Sequence, residues 1–260
     1  MKAEIIFLII ANLAIIAKGQ TISSSVISSA GDYYPTEACV LSITVGEMLI
    51  DNYTSAQNNL NAGFQQGIGN HTVALSFFLE GFYNNVGMNQ VFVENSAVYP
   101  SGFSDKYQLH IAKSTPPYTL LYSDTHAVVQ TSGKSHVKIP AYLCGNNYFV
   151  IKHRNHIETW SADPVSFAGD TISYSFKTSP NSAFGNNLKY LGNGVYGFYS
   201  GDVNQDGSVS LTDLLSIETS ASSFSTGYIS QDLNGDGIVD ALDLIQADIN
   251  AANFVTAHRP

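Results

Sequence analysis

Two twelve-residue acidic segments near the C-terminus place the tightest limit on what this chain can fold into. They run from Asp202 to Asp213 and from Asp232 to Asp243, so the second follows the first at an offset of 30 residues. The same offset relates their neighbours, namely Leu214 and Leu244, Ala221 and Ala251, Phe224 and Phe254, and Thr226 and Thr256. Because the repeat extends beyond the acidic residues, coincidence is a poor explanation for it.

Both segments carry oxygen-bearing residues at the positions that a calcium loop uses. Such a loop supplies ligands from positions 1, 3, 5, 7, 9 and 12 and has Gly at position 6 for the sharp turn. The predicted ligands of loop 1 are Asp202, Asn204, Asp206, Ser208 through its backbone carbonyl, Ser210 and Asp213. Those of loop 2 are Asp232, Asn234, Asp236, Ile238 through its backbone carbonyl, Asp240 and Asp243. The sequence therefore predicts two calcium ions, and the alternative is a pair of Asp/Asn/Gly turns without an ion.

The charge distribution supports bound cations. The formal net charge is −10, and from Gly201 onward nine carboxylates accompany one basic residue, Arg259. Carboxylates at this density repel one another unless counter-ions are present. The sequence offers no basic patch of the kind that nucleic-acid binding needs, so we expect no nucleic-acid partner.

The N-terminus has the features of a secretion signal. Residues 5–16 are apolar except for Asn12, and small residues follow at Ala17 and Gly19. Twelve residues are too few to span a hydrocarbon core of ~30 Å. We expect residues 1–19 to be a signal peptide, the protein to be secreted or at the cell surface, and the mature chain to have no membrane span.

The region between the signal and the acidic loops reads as β-structure. Residues 20–69 form a predicted N-terminal β-segment with apolar alternation at 40–50, and residues 70–199 a predicted β-sandwich, with a barrel as the alternative. The predicted strands are Val73–Leu79, Tyr107–Ile111, Tyr118–Tyr122, Ala127–Thr131, His136–Ile139, Tyr148–Lys152, Ile157–Trp160 and Thr171–Phe176. Cys39 and Cys144 could form a disulfide or remain two buried thiols.

Helical spacing occurs only after each acidic loop, at 211–220 and 242–251, whereas a turn-rich stretch precedes loop 1. A loop followed by a helix, occurring twice and closed by Asp at position 12, resembles the dockerin module over residues 200–260. The resemblance implies two loop-helix units related by a pseudo-two-fold axis and attachment to a protein partner, typically a cohesin. Dockerins often have Ser-Thr at loop positions 10 and 11, where this chain has Leu211-Thr212 and Ala241-Leu242. Another extracellular partner therefore stays open.

The apolar pattern also predicts the core of this module. Positions 8 and 11 of the loops, which are Val209, Thr212, Val239 and Leu242, are expected to turn inward. The predicted contacts between the two helices come from Leu214, Leu215, Ile217, Leu244, Ile245 and Ile249. Because so small a module buries little surface, ion binding should contribute much of its folding free energy.

Enzyme and carbohydrate-binding functions have weaker support. A zinc site could use His153, His156 and Glu158 if a turn at Arg154-Asn155 brought the histidines together, and the alternative is a hairpin with solvent-facing polar residues. The sequence shows no hydrolase motif and no spacing that singles out a catalytic carboxylate pair. Aromatic residues that could stack on sugars are Tyr33, Tyr34, Tyr83, Tyr99, Tyr118, Tyr122 and Trp160, although core packing explains them equally well.

The sequence thus favours a secreted bacterial protein, mostly β with a small all-α calcium module at its C-terminus. Its expected function is non-catalytic attachment to, or assembly with, another extracellular protein. A carbohydrate-binding or polysaccharide-degrading component of an extracellular complex is the second hypothesis. Calcium as a purely structural brace is the third.

Overall fold

The computed structural model describes residues 69–260, together with the backbone of four strands between residues 30 and 62. In that N-terminal region β1 (Ala30–Pro35) pairs with β2 (Val40–Val45), and β3 (Asp51–Thr54) pairs antiparallel with β4 (Asn59–Ala62). The predicted signal peptide at 1–19, Cys39, and the side chains of Tyr33 and Tyr34 lie outside the described residues.

The first sheet of the region from residue 69 onward has three strands. Strand β5 (Asn70–Ser76) lies at its centre, with β10 (Lys134–Pro140) antiparallel on one side and β14 (Thr171–Ser175) parallel on the other. Alternate residues of each strand are apolar and point to one face, as the period of two in a strand requires. The inward residues are Val73, Leu75, Val137, Ile139 and Ile172.

The second sheet is larger, and its strands are β8 (Phe103–Lys113), β9 (Leu120–Gln130), β11 (Asn146–His153), β12 (His156–Trp160) and β13 (Val165–Ser166). They are arranged in the order β12-β11-β8-β9, and the short strand β13 also pairs with β11. The pairings of β8 with β9 and of β11 with β8, β12 and β13 are antiparallel.

The two sheets pack face to face around one hydrophobic core. Tyr107, Leu109 and Ile111 of β8 meet Val73 and Leu75 of β5 in this core, which excludes solvent almost completely. The fold is therefore the predicted β-sandwich. The barrel alternative is wrong, because within residues 69–260 the three-stranded and the larger sheet share no paired strand.

Short elements lie between β5 and β8 and between β14 and the C-terminal module. Two small hairpins pair β6 (Phe92–Val93) with β7 (Ser96–Ala97), and β15 (Lys189–Gly192) with β16 (Val195–Gly197). The 3-10 helices are η1 (Glu80–Phe82), η2 (Pro180–Ser182) and η3 (Phe184–Asn186). As the turn-rich sequence predicts, no α-helix precedes loop 1 in the described part of the chain.

Two details differ from the strand and cysteine predictions. The segments predicted as Tyr118–Tyr122 and Ala127–Thr131 form the single strand β9, because Ser123 and Asp124 between them pair with His110 and Leu109. Cys144 is disulfide-bonded, so the alternative of a buried free thiol is wrong for this residue.

The C-terminal module contains two α-helices, and each begins directly after an acidic loop. Helix α1 spans Leu211–Ser222 and helix α2 spans Ala241–Ala252. Ser210 and Asp240 cap their N-termini, and in both helices the closing Asp of the loop completes a capping box. This reciprocal arrangement satisfies backbone N–H groups that have no partner within the helix.

The helices pack against one another through one face only. Leu214, Ile217 and Ala221 of α1, together with Leu244 and Ala247 of α2, lie in the module core with Val203, Ile229, Leu233 and Val239. Val209 is buried as predicted, but Thr212, Leu215, Leu242, Ile245 and Ile249 are exposed, contrary to the prediction. The spacing of three and four residues that places 214, 217 and 221 inward turns positions 212 and 215 outward.

The halves of the module exchange backbone contacts. Val209 N of loop 1 donates to Val255 O after α2, at 2.8 Å, and Val239 N of loop 2 donates to Ser225 O after α1, at 3.0 Å. Isolated β-bridges join Ser208 to Thr256 and Thr226 to Ile238 in the same manner. Each loop is thus closed by the segment that follows the other helix, as expected for units related by a pseudo-two-fold axis.

Candidate metal centre

Hydrogen bonds from the backbone wind loop 1 around its first residue. The Asp202 carboxylate is buried and accepts from Asp206 N at 3.1 Å and from Gly207 N at 3.2 Å. The Asn204 side-chain oxygen accepts from Asp206 N at 2.8 Å, and the Asp206 carboxylate accepts from Ser208 N at 3.0 Å. These bonds hold the oxygens of positions 1, 3 and 5 along the inside of one tight turn.

Loop 2 repeats this winding. The buried carboxylate of Asp232 accepts from Gly235 N at 2.7 Å and from Gly237 N at 3.1 Å. Asn234 accepts from Asp236 N at 2.8 Å, and Asp236 accepts from Ile238 N at 2.9 Å. The two loops therefore share their hydrogen-bonding pattern as well as their sequence pattern.

The closing residue of each loop joins its beginning to its end. Asp213 is fully buried, and it accepts from Val203 N at 3.0 Å and from Ser210 N at 2.9 Å. Its counterpart Asp243 is also fully buried and accepts from Leu233 N at 2.8 Å and from Asp240 N at 2.9 Å. Asp213 also accepts from Asn204 N at 3.2 Å and from Ser210 Oγ at 3.1 Å, so its roughly four lone-pair sites are all engaged, and a cation bound there would take the place of the Ser210 hydroxyl.

Position 9 of each loop has a second function. The side chain of Ser210 accepts from Thr212 N, and that of Asp240 accepts from Leu242 N at 2.7 Å, as N-caps do. A ligand at position 9 often reaches calcium through a water molecule, which is compatible with capping.

The electrostatics of the loops favour a bound cation. Burial and the neighbouring Asp213 raise the pKa of Asp202 to about 6. Burial raises the pKa of Asp232 to about 6 as well, although Arg154 acts in the opposite direction, and burial also raises the pKa of Asp243. A buried carboxylate is costly unless a positive charge accompanies it.

The chemistry of the donors selects the kind of cation. Both loops present only oxygen atoms, and hard cations such as calcium prefer oxygen ligands. Across residues 69–260 no group of three or more His, Cys, Asp and Glu side chains is placed to hold a metal ion. A cation in either loop would therefore draw on amide, hydroxyl and backbone carbonyl oxygens beside the carboxylates.

Residues 200–247 match the family model of the dockerin type I domain. The C-terminal segment is a dockerin-like module. Dockerin type I domains bind calcium and mediate protein-protein assembly, in agreement with the oxygen-lined loops. No curated protein matches the chain.

Several chains of solved structures resemble this one, among them two interface mutants of a type II Cohesin-X-Dockerin complex from Acetivibrio cellulolyticus. The N-terminal interface mutant is 18% identical, with a TM-score of 0.39 over 70% of this chain and 95% of that one. The C-terminal interface mutant is 19% identical, with a TM-score of 0.39 over 71% of this chain and 97% of that one.

The dockerin-like module packs tightly against the β-sandwich. Gln205 of loop 1 donates to the carbonyl of His156 at 3.2 Å, and Phe92 N of β6 donates to Gly235 O of loop 2 at 2.8 Å. Glu80 of η1 accepts from Ser200 N at 3.0 Å and from the side chain of Asn250 in α2 at 2.6 Å. Sequence reasoning does not reveal these partners, because they are separated by many residues along the chain.

A buried polar cluster lies where the sandwich meets the module. The predicted turn at Arg154-Asn155 exists and brings the Nδ1 atoms of His153 and His156 to 3.0 Å. Both histidines are buried, so the expectation of a solvent-facing hairpin is wrong. Burial first, and then the electrostatic effects of the neighbouring His153 and Arg154, hold the pKa of His156 well below its usual range, which favours a neutral imidazole.

The zinc hypothesis fails on geometry. Glu158 does not join the histidines; it pairs with Lys152 Nζ at 3.0 Å and with Arg259 Nε at 2.7 Å. The carboxylate of Asp105 accepts from His153 Nε2 at 3.1 Å, whereas His156 Nδ1 lies 2.7 Å from Asn155 Oδ1. Burial alone would raise the pKa of Asp105, but His153, Arg154 and Tyr228 outweigh it and lower the pKa to about 2.

The aromatic residues considered for sugar stacking are mostly engaged elsewhere. Trp160 is buried, lies edge-on to Tyr148 and Tyr118, and donates to Glu158 at 2.7 Å. Tyr83, Tyr99 and Tyr122 pack against the sandwich core. Among the described residues, no helix is long and apolar enough to span a membrane.

Proposed function

We propose that this is a secreted, non-catalytic, calcium-binding protein that uses its dockerin-like module to attach to another extracellular protein of the cohesin type. In this proposal residues 1–19 direct secretion, 20–69 form an N-terminal β-segment, 70–199 the β-sandwich and 200–260 the dockerin-like module. Each loop binds one calcium ion through the six oxygen-bearing positions named above. The buried carboxylates and the all-oxygen donor sets support two ions.

The observation that carries the attachment role is a row of exposed apolar side chains on each helix. Leu211 and Leu215 of α1 are 68% and 52% exposed, and Leu242, Ile245 and Ile249 of α2 are 63%, 56% and 48% exposed. Exposed apolar side chains that cluster, rather than occurring singly, mark interaction sites. Positions 215 and 245 are equivalent in the repeat, so the two helices offer similar surfaces.

The composition of these rows indicates the chemistry of the partner. Leucine and isoleucine gain free energy by leaving water, so the partner surface should be apolar at its centre. Leu211 and Leu242 stand at loop positions 10 and 11, where many dockerins carry hydroxyl residues. The binding surface of a partner of this chain should therefore be more apolar than that of a partner which recognises Ser-Thr at these positions.

Binding to a panel of purified cohesin modules tests the proposal. The protein should bind at least one apolar-faced cohesin in calcium and release it in chelator. Leu215→Asp and Ile245→Asp should each weaken that binding by about tenfold to a hundredfold, because each loses the burial of one large apolar side chain.

Val86→Asp provides a matched control, because it makes the same type of change at a fully exposed apolar residue of the sandwich. It should leave binding unchanged. If calcium binds but no cohesin is retained, calcium acts only as a brace and attachment through cohesins is excluded. Binding on a glycan array with no protein partner would favour the carbohydrate hypothesis instead.

A further inference from the structure

Two adjacent side chains of the β-sandwich, Arg154 and Asn155, donate hydrogen bonds to the start of loop 2, and among the described residues no sandwich side chain donates to loop 1. Arg154 Nη1 donates to Asp232 O at 2.9 Å and also to Ile229 O, and Asn155 Nδ2 donates to Asp232 O at 2.7 Å. In loop 1 the corresponding carbonyl, that of Asp202, accepts at 2.6 Å from Gln205 of the same loop. The first residue of loop 2 is therefore held by the sandwich, and that of loop 1 by the loop itself.

The guanidinium of Arg154 also supplies a fixed positive charge beside a predicted calcium ligand. Its Nη2 atom lies 3.9 Å from Asp232 Oδ2 and, in the described part of the chain, has no hydrogen-bond partner. Loop 2 contains four carboxylates and loop 1 contains three. Arg154 offsets the additional carboxylate of loop 2, so the two sites have the same formal net charge. Loop 2 reaches that charge with an arginine beside its carboxylates, whereas loop 1 reaches it with fewer carboxylates.

Arg154 cannot easily leave this position. Its Nε atom donates to the buried carboxylate of Asp105 at 3.2 Å. Its guanidinium carbon lies 5.7 Å from the ring centroid of Phe82 and 4.7 Å from that of Tyr228, and Tyr228 donates to the same Asp105 at 2.6 Å. An arginine between two aromatic faces and a buried carboxylate loses little further entropy when it holds a carbonyl.

The remainder of loop 2 is enclosed as well. Gly235 and Gly237 are buried, whereas Gln205 and Gly207 at the same positions of loop 1 are partly exposed. A side chain at Gly237 would meet the carbonyl oxygen of Phe92 at 2.6 Å, whereas one at Gly207 would meet only Ala257 Cβ at 3.7 Å. The sandwich thus packs on loop 2 and leaves loop 1 more open.

We propose that Arg154 and Asn155 are positioning residues of the second calcium loop, which keep it in its binding conformation when calcium is absent. The first loop bonds to the sandwich through Gln205 and the carbonyl of His156, but no described side chain of the sandwich holds its first residue, and it depends on calcium for its fold. This inference rests on the proposed binding of two calcium ions. It makes the two sites inequivalent: loop 2 is preorganised by the protein, and loop 1 is organised by the ion.

Hydrogen-deuterium exchange on the full chain, with calcium and after chelation, tests the proposal. In calcium, the amides of both loops should be protected. After chelation, the amides of 202–213 should exchange at least tenfold faster than in calcium, while those of 232–243 keep most of their protection. Arg154→Met should remove the protection of 232–243 after chelation and retain it in calcium.

Two further variants separate charge, position and simple misfolding. Arg154→Lys keeps the charge but not the paired donors, so it should restore only part of the protection. Lys152→Met removes a cation two residues away that pairs with Glu158, and it should leave both loops as in the unmodified chain. Protection of the β5 and β8 amides reports whether each variant still folds. If Arg154→Met does not fold, Asn155→Ala replaces it and should give the same loss.

Calcium titration by calorimetry is carried out on the same samples. If no calcium binds, the proposed function fails. If two ions bind but both loops exchange equally fast after chelation, only the present inference is overturned. Unchanged protection of loop 2 in folded Arg154→Met would overturn it as well.

Discussion

Replacing the glycine at position 6 of each loop by alanine compares the two loops under the same backbone strain. Gly207 and Gly237 have φ values of +93° and +86°, a region that costs a residue with a Cβ about 1–2 kcal/mol. At Gly207 the new Cβ would have room, since its nearest neighbour is Ala257 Cβ at 3.7 Å. At Gly237 it would lie 2.6 Å from the carbonyl oxygen of Phe92, which must move.

The expected losses follow from these distances. Gly207→Ala should lower the free energy of unfolding by about 1–2 kcal/mol, from strain alone. Gly237→Ala adds an overpacking cost of about 1–3 kcal/mol and should therefore be clearly less stable. At about 2–4 °C per kcal/mol for a folded region of this size, its Tm should lie roughly 2–12 °C below that of Gly207→Ala.

Both variants are melted in saturating calcium, so that a difference in affinity does not contribute to the comparison. Calorimetry gives Tm, and urea unfolding gives the free energy. Equal losses for the two variants would refute the packing of loop 2 against the strand at Phe92. A larger loss for Gly207→Ala would contradict it more strongly.

Asp105→Asn should destabilise the protein by about 3–5 kcal/mol in urea unfolding, because it leaves the partly buried Arg154 without its carboxylate. A loss below about 1 kcal/mol would contradict the network around Asp105. Since the pKa of Asp105 is lowered to about 2 on folding, its contribution is present above its unfolded pKa and is lost as the pH falls through about 2. Glu158→Gln should cost about 1 kcal/mol, because its partner Arg259 is largely exposed. The pKa of Glu158 is lowered, because Trp160, Lys152 and Arg259 outweigh the effect of burial. The loss of stability in Glu158→Gln should therefore be present at neutral pH and disappear in acid. An equal loss in acid would argue against the ion pairs of Glu158. Mass spectrometry of the exported protein should show a chain that begins near residue 20, and recovery of an intact N-terminus would refute the signal peptide.

Local patterns were sufficient to predict several parts of this molecule. The helices after loops 1 and 2 and the strands β5, β8 and β11 all follow from periodicity over a few residues. The inward faces of β5 and β10 could be predicted for the same reason, since alternation along a strand fixes which residues share a face.

What could not be predicted depends on contacts between distant parts of the chain. Leu215 and Ile245 look like core residues, because an apolar residue on a helix does not reveal which face is covered. The role of Arg154 depends on a carbonyl 78 residues further along the chain. Nothing in the residues around Arg154 signals that contact.

Glu158 shows the same limit for a candidate site. Its spacing from His153 and His156 suggested a shared metal, but residues on one hairpin can serve different neighbours. The histidines face Asp105 and Phe82, whereas Glu158 faces Lys152 and Arg259. Only the positions of the neighbouring elements distinguish these outcomes.

Calorimetric titration of the chelator-treated protein with calcium measures how many ions the two loops bind. Two calcium ions should bind per chain, one fewer in Asp206→Ala or in Asp236→Ala, and none with high affinity in the double variant. A protein that binds no calcium, or that binds two ions after both substitutions, would contradict this prediction.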